Sequence, residues 1–343
     1  MDRKNVFAVL SILFAGCTAS YADSAPLGIL NAYDLVALGT TGANSIAGNI
    51  VGPTTSDSEG RIAAAGQITY TLNVGNNLGS DPWGSLANNY AVVAGGGVNV
   101  TPADAHFTIN GGGGVWASSN NAGYYFNDGK KLTVGGASPI DFASERIAMQ
   151  SLNTNLSTLA SNGTMGAVSG GNPSWTGLYG TSSTLNVFTL TAVQFGSDDL
   201  DFIVPQSQSG ATIIVNVLGA KPVLNNALMI NGVQESDSND DNNRILFNFE
   251  DASSVTINAQ FNAALLAPNA TLSGNAQMGG NFIVAAVGQT GEVHNDEFVG
   301  AIPQSMFQDQ TPAPVTTPEP ATLVLMGTGG LFLAGLVHWR IRA

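Results

Sequence analysis

The chain has 343 residues and carries 10 Lys and Arg against 24 Asp and Glu, which gives a formal net charge of −14 at pH 7. This acidic balance, without a basic patch to override it, excludes nucleic acid and anionic lipid surfaces as partners of the folded part. Hydrophobic residues make up 44% of the chain, which excludes a disordered composition.

Residues 1–22 are predicted to form a signal peptide. A basic pair precedes an apolar run that ends near Gly16, and small residues continue to a cleavage site after Ala22. A lipoprotein signal is the alternative, because the run ends at Cys17, the one cysteine of the chain. Cleavage after Ala22 would leave the exported protein without disulfides or thiolate metal ligands.

Residues 23–303 are predicted to form one all-β domain that contains a single long helix. Short clusters of aliphatic residues are separated by Gly, Asn and Ser turns, and this spacing favours the stacked coils of a β-solenoid. A β-sandwich is the alternative, because it uses similar strands. The clearest predicted strands are 61–66, 90–95, 106–110, 211–217, 245–249, 264–267 and 282–285.

The helix is predicted over 141–160. Asp141 is its expected N-cap, and Gly163 lies just past its end. An apolar stripe runs along one side of it, so we expect the helix to lie on a sheet face or to cap an open end. The stripe consists of Phe142, Met149, Leu152, Leu156 and Leu159.

Two acidic stretches are candidate cation sites. Asp57, Glu59 and Arg61 alternate and could share one face, either as a sugar or cation site or as charges that support a coil. The loop 235–243 concentrates carboxylates and Asn carbonyls, which are the hard oxygen ligands that calcium requires. A calcium site would use Asp237, Asp240 and Asp241, whereas the alternative is a solvated turn without a metal. No other cofactor is predicted.

No catalytic constellation is predicted. His106 and His294 have no Ser, Cys or metal-ligand companions at motif spacing, and the few cations of the domain are scattered. Five aromatic residues in Gly/Asn/Ser-rich surroundings are candidates either for stacking against sugars or for filling space between coils. They are Trp83, Trp116, Tyr124, Tyr125 and Trp175. A flat face of Thr and Asn could also bind ordered water, so ice binding is a weaker alternative, although no regular Thr-x-Thr ladder repeats in the sequence.

The C-terminus predicts a tether followed by a sorting tag. Residues 304–317 are polar and contain two prolines, which is typical of an extended tether. The motif Pro318, Glu319, Pro320 then precedes an apolar run, 321–337, that is just long enough to cross a bilayer. Arg340 and Arg342 would hold the final residues in the cytoplasm as a membrane stop.

This order of tripeptide, apolar span and basic end resembles the PEP-CTERM tag of Gram-negative bacteria. The resemblance implies processing by an exosortase-type enzyme, export, and delivery to the cell surface or the extracellular matrix. Before processing, the apolar span would tether the protein to the inner membrane.

The domain resembles the choice-of-anchor A family of bacterial surface proteins. The resemblance rests on structural stretches at 27–36, 56–66, 249–257, 264–270, 279–284 and 291–294. It implies a discontinuous β-solenoid with a helix packed alongside, and an adhesive or matrix role without catalytic residues. The sequence therefore predicts a non-enzymatic surface adhesin or biofilm component, with exopolysaccharide or other surface proteins as its partners. A carbohydrate-binding module for exopolysaccharide is the alternative, and a polysaccharide-cleaving enzyme is a third.

Overall fold

The computed structural model describes most of the predicted domain. The described residues are 25–51, 57–70, 73–78, 83–102, 105–128, 130–168, 175–197, 199–203, 210–226, 228–234 and 242–310. The predicted signal peptide with Cys17, the calcium loop with Asp237, Asp240 and Asp241, and the sorting tag with Pro318, Glu319, Pro320, Arg340 and Arg342 lie outside these residues.

Short strands build the first half of the domain. In chain order they are β1 (Leu35–Ala37), β2 (Ile62–Ala64), β3 (Gln67–Ile68), β4 (Asn73–Val74), β5 (Tyr90–Ala94), β6 (Gly97–Val98), β7 (His106–Ile109), β8 (Gly114–Ala117), β9 (Gly123–Phe126) and β10 (Leu132–Val134). Short 3-10 turns lie at Gly28–Ala32 and Gly84–Ala87.

The helix α1 (Phe142–Ser157) separates this half from the second. The second half contains β11 (Thr164–Ala167), β12 (Trp175–Tyr179), β13 (Leu185–Thr191), α2 (Ala192–Ser197), β14 (Asp199–Ile203), β15 (Thr212–Leu218), β16 (Val223–Leu224), β17 (Met229–Ile230), β18 (Val233–Gln234), β19 (Ile245–Asn248), β20 (Ser254–Ile257), β21 (Phe261–Asn262), β22 (Ala264–Gly274), β23 (Met278–Gly279), β24 (Phe282–Val287) and β25 (Val293–His294). A 3-10 turn at Asn242–Arg244 precedes β19.

One long parallel sheet shows how the two halves stack. Its strand order is β10-β8-β5-β2-β1-β24-β22-β19-β15-β13. The first half therefore grows outward from β1, and the second half returns until β24 pairs with β1. We call this contact between the first coil (35–59) and the last coil (282–294) the seam. The chain is a discontinuous β-solenoid, as predicted, and the parallel pairing excludes the alternative β-sandwich.

Two further walls close the coils. One consists of β16, β20, the end of β22, the end of β24, Ile50, β3 and β6. The other consists of β21, β23, β25, Ser58, β4, β7 and β9. Strands β11, β12, β14, β17 and β18 form a separate five-stranded sheet.

The long sheet is buried on both faces, which explains why its strands are almost continuously apolar. Alternate residues such as Leu35 and Phe282 point into the solenoid interior. Their neighbours, such as Val36 and Ile283, contribute to a second core that also includes residues of α1.

Helix α1 confirms the predicted amphipathic helix. The Asp141 carboxylate accepts hydrogen bonds from the amides of Ala143 and Ser144, as an N-cap does. Its predicted stripe is buried apart from Leu159, which is half-buried. Asn153 donates to the Asn248 side chain at 2.6 Å and thereby ties the helix to β19. The helix lies along the long sheet, which is the first of the two placements expected from the sequence.

The domain continues into the segment that the sequence assigns to the tether. Gln304–Gln310 forms a 3-10 helix, and Met306 and Phe307 pack against the second core. Asn155 of α1 also donates to the Met306 carbonyl at 2.8 Å. Two apolar side chains in a polar segment are enough to hold these residues on the helix.

Candidate functional site

The wall through β20, β22, β3 and β6 presents uncharged outward side chains on six neighbouring coils. Its inward row is fully apolar and consists of Val255, Leu272, Val287, Ile50, Ile68 and Val98. Because side chains alternate along a strand, the residues on either side of each inward residue point outward. These outward residues are Ser254, Thr256, Thr271, Ser273, Ala286, Gly288, Asn49, Val51, Gln67, Thr69, Gly97 and Asn99. We call this surface the neutral wall.

The neutral wall has two parallel rows of short side chains. Ala286 and Gly97 are buried, and the other outward residues are half-buried or exposed. Backbone hydrogen bonds from Thr69 to Ile50 and from Val51 to Val287 carry the ladder across the seam. At a strand spacing of about 4.8 Å, five steps give rows about 24 Å long. None of the twelve outward residues carries a charge, although the chain as a whole is strongly acidic.

The wall through β25, Ser58, β4 and β7 differs in chemistry, and we call it the charged wall. Its outward residues include Asp57 and Glu59 on the first coil and Glu292 and His294 on the last. A chain of side-chain hydrogen bonds runs along it from Asn127 through Asn110 and Asn76. That chain ends on the Asp57 carboxylate, which accepts from Asn76 at 2.7 Å.

Of the three alternating charges predicted to share a face, Asp57 and Glu59 do so on the charged wall, whereas Arg61 does not. Asp57 joins the asparagine chain, whereas Glu59 Oε1 lies 3.4 Å from His294 Nδ1. Arg61 turns inward and is only 7% exposed. The predicted grouping therefore holds for the two carboxylates and fails for Arg61, and His294 is an ion-pair partner of Glu59 across the seam.

Arg61 belongs to a buried polar corner between the charged wall and the long sheet. Asp34 is fully buried there, and burial raises the pKa of its carboxyl group well above the usual range. Burial, followed by repulsion from Asp34, raises the pKa of Glu297 to about 9. Burial lowers the pKa of Arg61, while Tyr33, Glu297 and Asp34 act to raise it.

Glycine is required at one point of this corner. A Cβ atom added to Gly60 would lie 2.1 Å from Asp34 Oδ2. The carboxylate therefore occupies the space that a side chain at residue 60 would need. The sequence pattern did not mark Asp34 or Glu297, because they lie far apart in the chain and meet only when the solenoid closes.

Of the five predicted aromatic candidates, four fill space in the folded domain and one has an exposed ring. Trp116 is buried and donates to the Gly135 carbonyl at 3.1 Å, whereas Trp83 and Trp175 are half-buried. Tyr124 stacks between Phe107 and Phe126 with ring centroids 5.4 and 5.6 Å away. These four residues fit the space-filling interpretation.

Tyr125 is the exposed member of the predicted aromatic set. It is 59% exposed and stacks on the ring of His106, with centroids 4.6 Å apart. Gly123 makes this possible, because a Cβ atom there would lie 2.4 Å from the His106 ring. The pair is therefore a small aromatic platform on the charged wall.

None of the helices in the described part of the chain is both long and apolar enough to cross a membrane. The predicted span 321–337 is not among those residues.

Comparison with known proteins identifies both parts of the chain. Residues 26–295 match the family described as "Putative Ice-binding-like adhesive domain", and residues 316–343 match the PEP-CTERM protein-sorting motif. The second match confirms the predicted tag, which implies export and processing by an exosortase-type enzyme. The first match is not specific for choice-of-anchor A.

No curated protein matches the chain. The crystal structure of an ice-binding protein from the Antarctic ascomycete Antarctomyces psychrotrophicus aligns at 9% identity with a TM-score of 0.38, covering 79% of this chain and 97% of that protein. Because the family match spans well over half of the sequence, this chain belongs to the ice-binding-like adhesive domain family, and it is an exported surface protein that carries a PEP-CTERM sorting tag.

Proposed function

We propose that this protein is a non-enzymatic adhesin of the cell surface or biofilm matrix, and that it adheres through the neutral wall to uncharged exopolysaccharide. The observation that carries the proposal is the absence of charge from all twelve outward residues of that wall in a chain of net charge −14. The adhesive family description supports it, and so does the sorting tag, because such a tag implies export. The finer resemblance to choice-of-anchor A agrees with this role and stays a prediction.

The chemistry of the neutral wall suits a long neutral polymer. Hydroxyl and amide groups such as those of Thr271 and Asn99 can exchange hydrogen bonds with sugar hydroxyls without desolvating a charge. The backbone ladder already fixes these side chains in rows, so little conformational entropy is lost on binding. The acidic net charge would repel an anionic polymer, which favours a neutral one.

A matched pair of threonines tests this assignment. Thr271 lies on the neutral wall between Ser254 and Ala286, and Thr108 lies on the charged wall between Asn73 and Tyr125. Both are half-buried strand residues. A tyrosine at either position adds similar bulk, but only Thr271→Tyr would interrupt the neutral rows.

The measurement is co-sedimentation of the full chain, in mild detergent, with exopolysaccharide purified from the host. We expect saturable binding, an unchanged polymer length, and an affinity reduced about tenfold in Thr271→Tyr, which is a loss of about 1.4 kcal/mol. Thr108→Tyr should bind like the wild type. Equal effects of the two substitutions would disprove the neutral wall as the binding surface, and a shortened polymer would indicate an enzyme.

Ice is a second candidate ligand, because the regular uncharged rows also suit ordered water and the family description names ice binding. The same two variants distinguish the ligands. If ice is the ligand, the wild type and Thr108→Tyr should inhibit ice recrystallisation and Thr271→Tyr should not, while none of the three sediments with exopolysaccharide.

A further inference from the structure

The seam brings together three metal-ligating side chains that are far apart in the sequence. Glu59 lies on the first coil, whereas Glu292 and His294 lie on the last coil. Ser58 pairs with Val293, and this register sets residue 59 beside residue 294 on the outward side of the charged wall. Each of the three offers one ligand atom, and these atoms all lie within 4.8 Å of one another.

The distances fit a small divalent cation. Zinc binds His nitrogen and carboxylate oxygen at about 2.0–2.2 Å with tetrahedral geometry, which sets neighbouring ligand atoms about 3.3–3.5 Å apart. Glu59 Oε1 and His294 Nδ1 are already 3.4 Å apart. One imidazole with two carboxylates suits zinc or a similar transition metal, whereas calcium and magnesium prefer oxygen ligands throughout.

The surroundings of the three side chains also favour a cation. Asn262, Gly279 and His294 are register partners, so their outward sides form one row. Asn262 is only 3% exposed, and its amide atoms have no hydrogen-bond partner. A Cβ atom added to Gly279 would lie 2.3 Å from Asp296 Oδ2 and 3.3 Å from Asn262 Oδ1. The Asp296 carboxylate therefore lies over Gly279, the strand neighbour of His294, and adds a further acidic group next to the cluster.

The local charge is strongly negative. Asp57 neighbours Glu292 across the seam, and Asp34 and Glu297 lie at the adjacent buried corner. Repulsion from Glu59 is among the causes that raise the pKa of Asp34. A divalent cation would offset this repulsion where the first and last coils meet.

We infer that Glu59, Glu292 and His294 bind one divalent transition-metal ion, with zinc as the best fit, and that the ion fastens the first coil to the last. The seam joins segments more than 200 residues apart, so a metal bridge across it closes a very long loop. Three protein ligands leave one position for water or for a group of the matrix. The bridge would supply a cross-link in a domain that has no cysteine.

The test is thermal unfolding of the full chain in mild detergent, first stripped with EDTA and then titrated with zinc. We expect one zinc ion per chain by elemental analysis and a rise in Tm of about 5–8 °C at a hundredfold excess over Kd. His294→Gln and Glu292→Gln should abolish both. Glu292 is half-buried, so its variant is expected to fold even if His294→Gln does not.

His106→Gln is the matched control. It removes the other histidine of the charged wall, which is exposed and would account for adventitious zinc binding. This variant should keep the full zinc response. The assignment is overturned if zinc leaves the wild-type Tm unchanged, if both ligand variants keep the response, or if His106→Gln loses it. It is also overturned if Glu292→Gln removes a calcium response and leaves the zinc response intact.

Discussion

The neutral wall and the charged wall are built from the same coils, yet their outward residues differ completely in chemistry. Inward, both walls present apolar rows, for example Val255 and Leu272 in one and Phe261 and Met278 in the other, where Ser58 is a buried polar exception. Outward, the twelve residues of the neutral wall carry no charge, and the charged wall carries three carboxylates and a histidine around the seam. The solenoid therefore constrains the inward rows and leaves the outward rows to function. A substitution that removes the binding function of one wall should therefore leave the other wall folded.

The largest expected effect comes from breaking the interior that both walls share. Phe247 is fully buried, and its ring lies 5.2 Å from Phe261, 5.7 Å from Phe195 and 6.0 Å from Phe202. We expect Phe247→Ala to reduce the free energy of unfolding by about 3–5 kcal/mol, because it deletes a large ring and leaves a cavity. Urea unfolding measures the change.

The matched control for this prediction is Phe247→Leu, which keeps most of the apolar volume and should cost clearly less. If the two walls depend on one interior, polymer binding and zinc binding should fall together in Phe247→Ala as the protein is heated. Loss of one activity at a temperature where the other persists would contradict this coupling.

The sequence predicted the parts of the fold that are encoded locally. Aliphatic clusters such as 211–217 and 282–285 became strands, and the spacing of Phe142, Met149, Leu152 and Leu156 identified the buried stripe of α1. In each case the signal lies within a few neighbouring residues.

The seam could not be predicted in the same way. Ser58 pairs with Val293 because the second half of the chain returns to the first coil. The order in which the coils stack cannot be deduced from a pattern of neighbouring residues. His294 therefore had no visible companion in the sequence, and Glu59 was associated with Arg61 instead. The neutral wall was missed for a related reason, since its rows use Ser, Asn, Ala and Gly as well as Thr and show no repeat until the register is known.

An intermediate effect is expected at the corner beside the charged wall, where carboxylates are buried. Burial raises the pKa of Glu297 to about 9, above its usual value of 4.5. Between about pH 4.5 and pH 9, the Glu297 carboxyl group therefore keeps its proton in the folded state and has lost it in the unfolded state. The stability from this proton is fully present below about pH 4.5 and is lost as the pH rises to about 9.

Glu297→Gln tests this prediction, because the amide resembles the protonated carboxyl group but does not titrate. At pH 8 we expect the variant to be more stable than the wild type by about 1–3 kcal/mol, with the difference shrinking towards pH 5. Urea unfolding at pH 5, 7 and 9, with EDTA present, measures it. A difference between variant and wild type that stays constant from pH 5 to 9 would contradict the prediction that folded Glu297 holds this proton.

The smallest expected effect sharpens the contrast between the walls. Tyr125 is the exposed aromatic of the charged wall, and its stacking on His106 makes it the best candidate there for contact with sugar rings. If adhesion belongs to the neutral wall, Tyr125→Ala should change exopolysaccharide affinity by less than about twofold and stability by less than about 0.5 kcal/mol. Co-sedimentation and urea unfolding give the two values, with Thr271→Tyr measured alongside. A large loss of affinity in Tyr125→Ala together with normal binding by Thr271→Tyr would move adhesion to the charged wall, because a stacked aromatic pair would then recognise the polymer as a carbohydrate-binding module does.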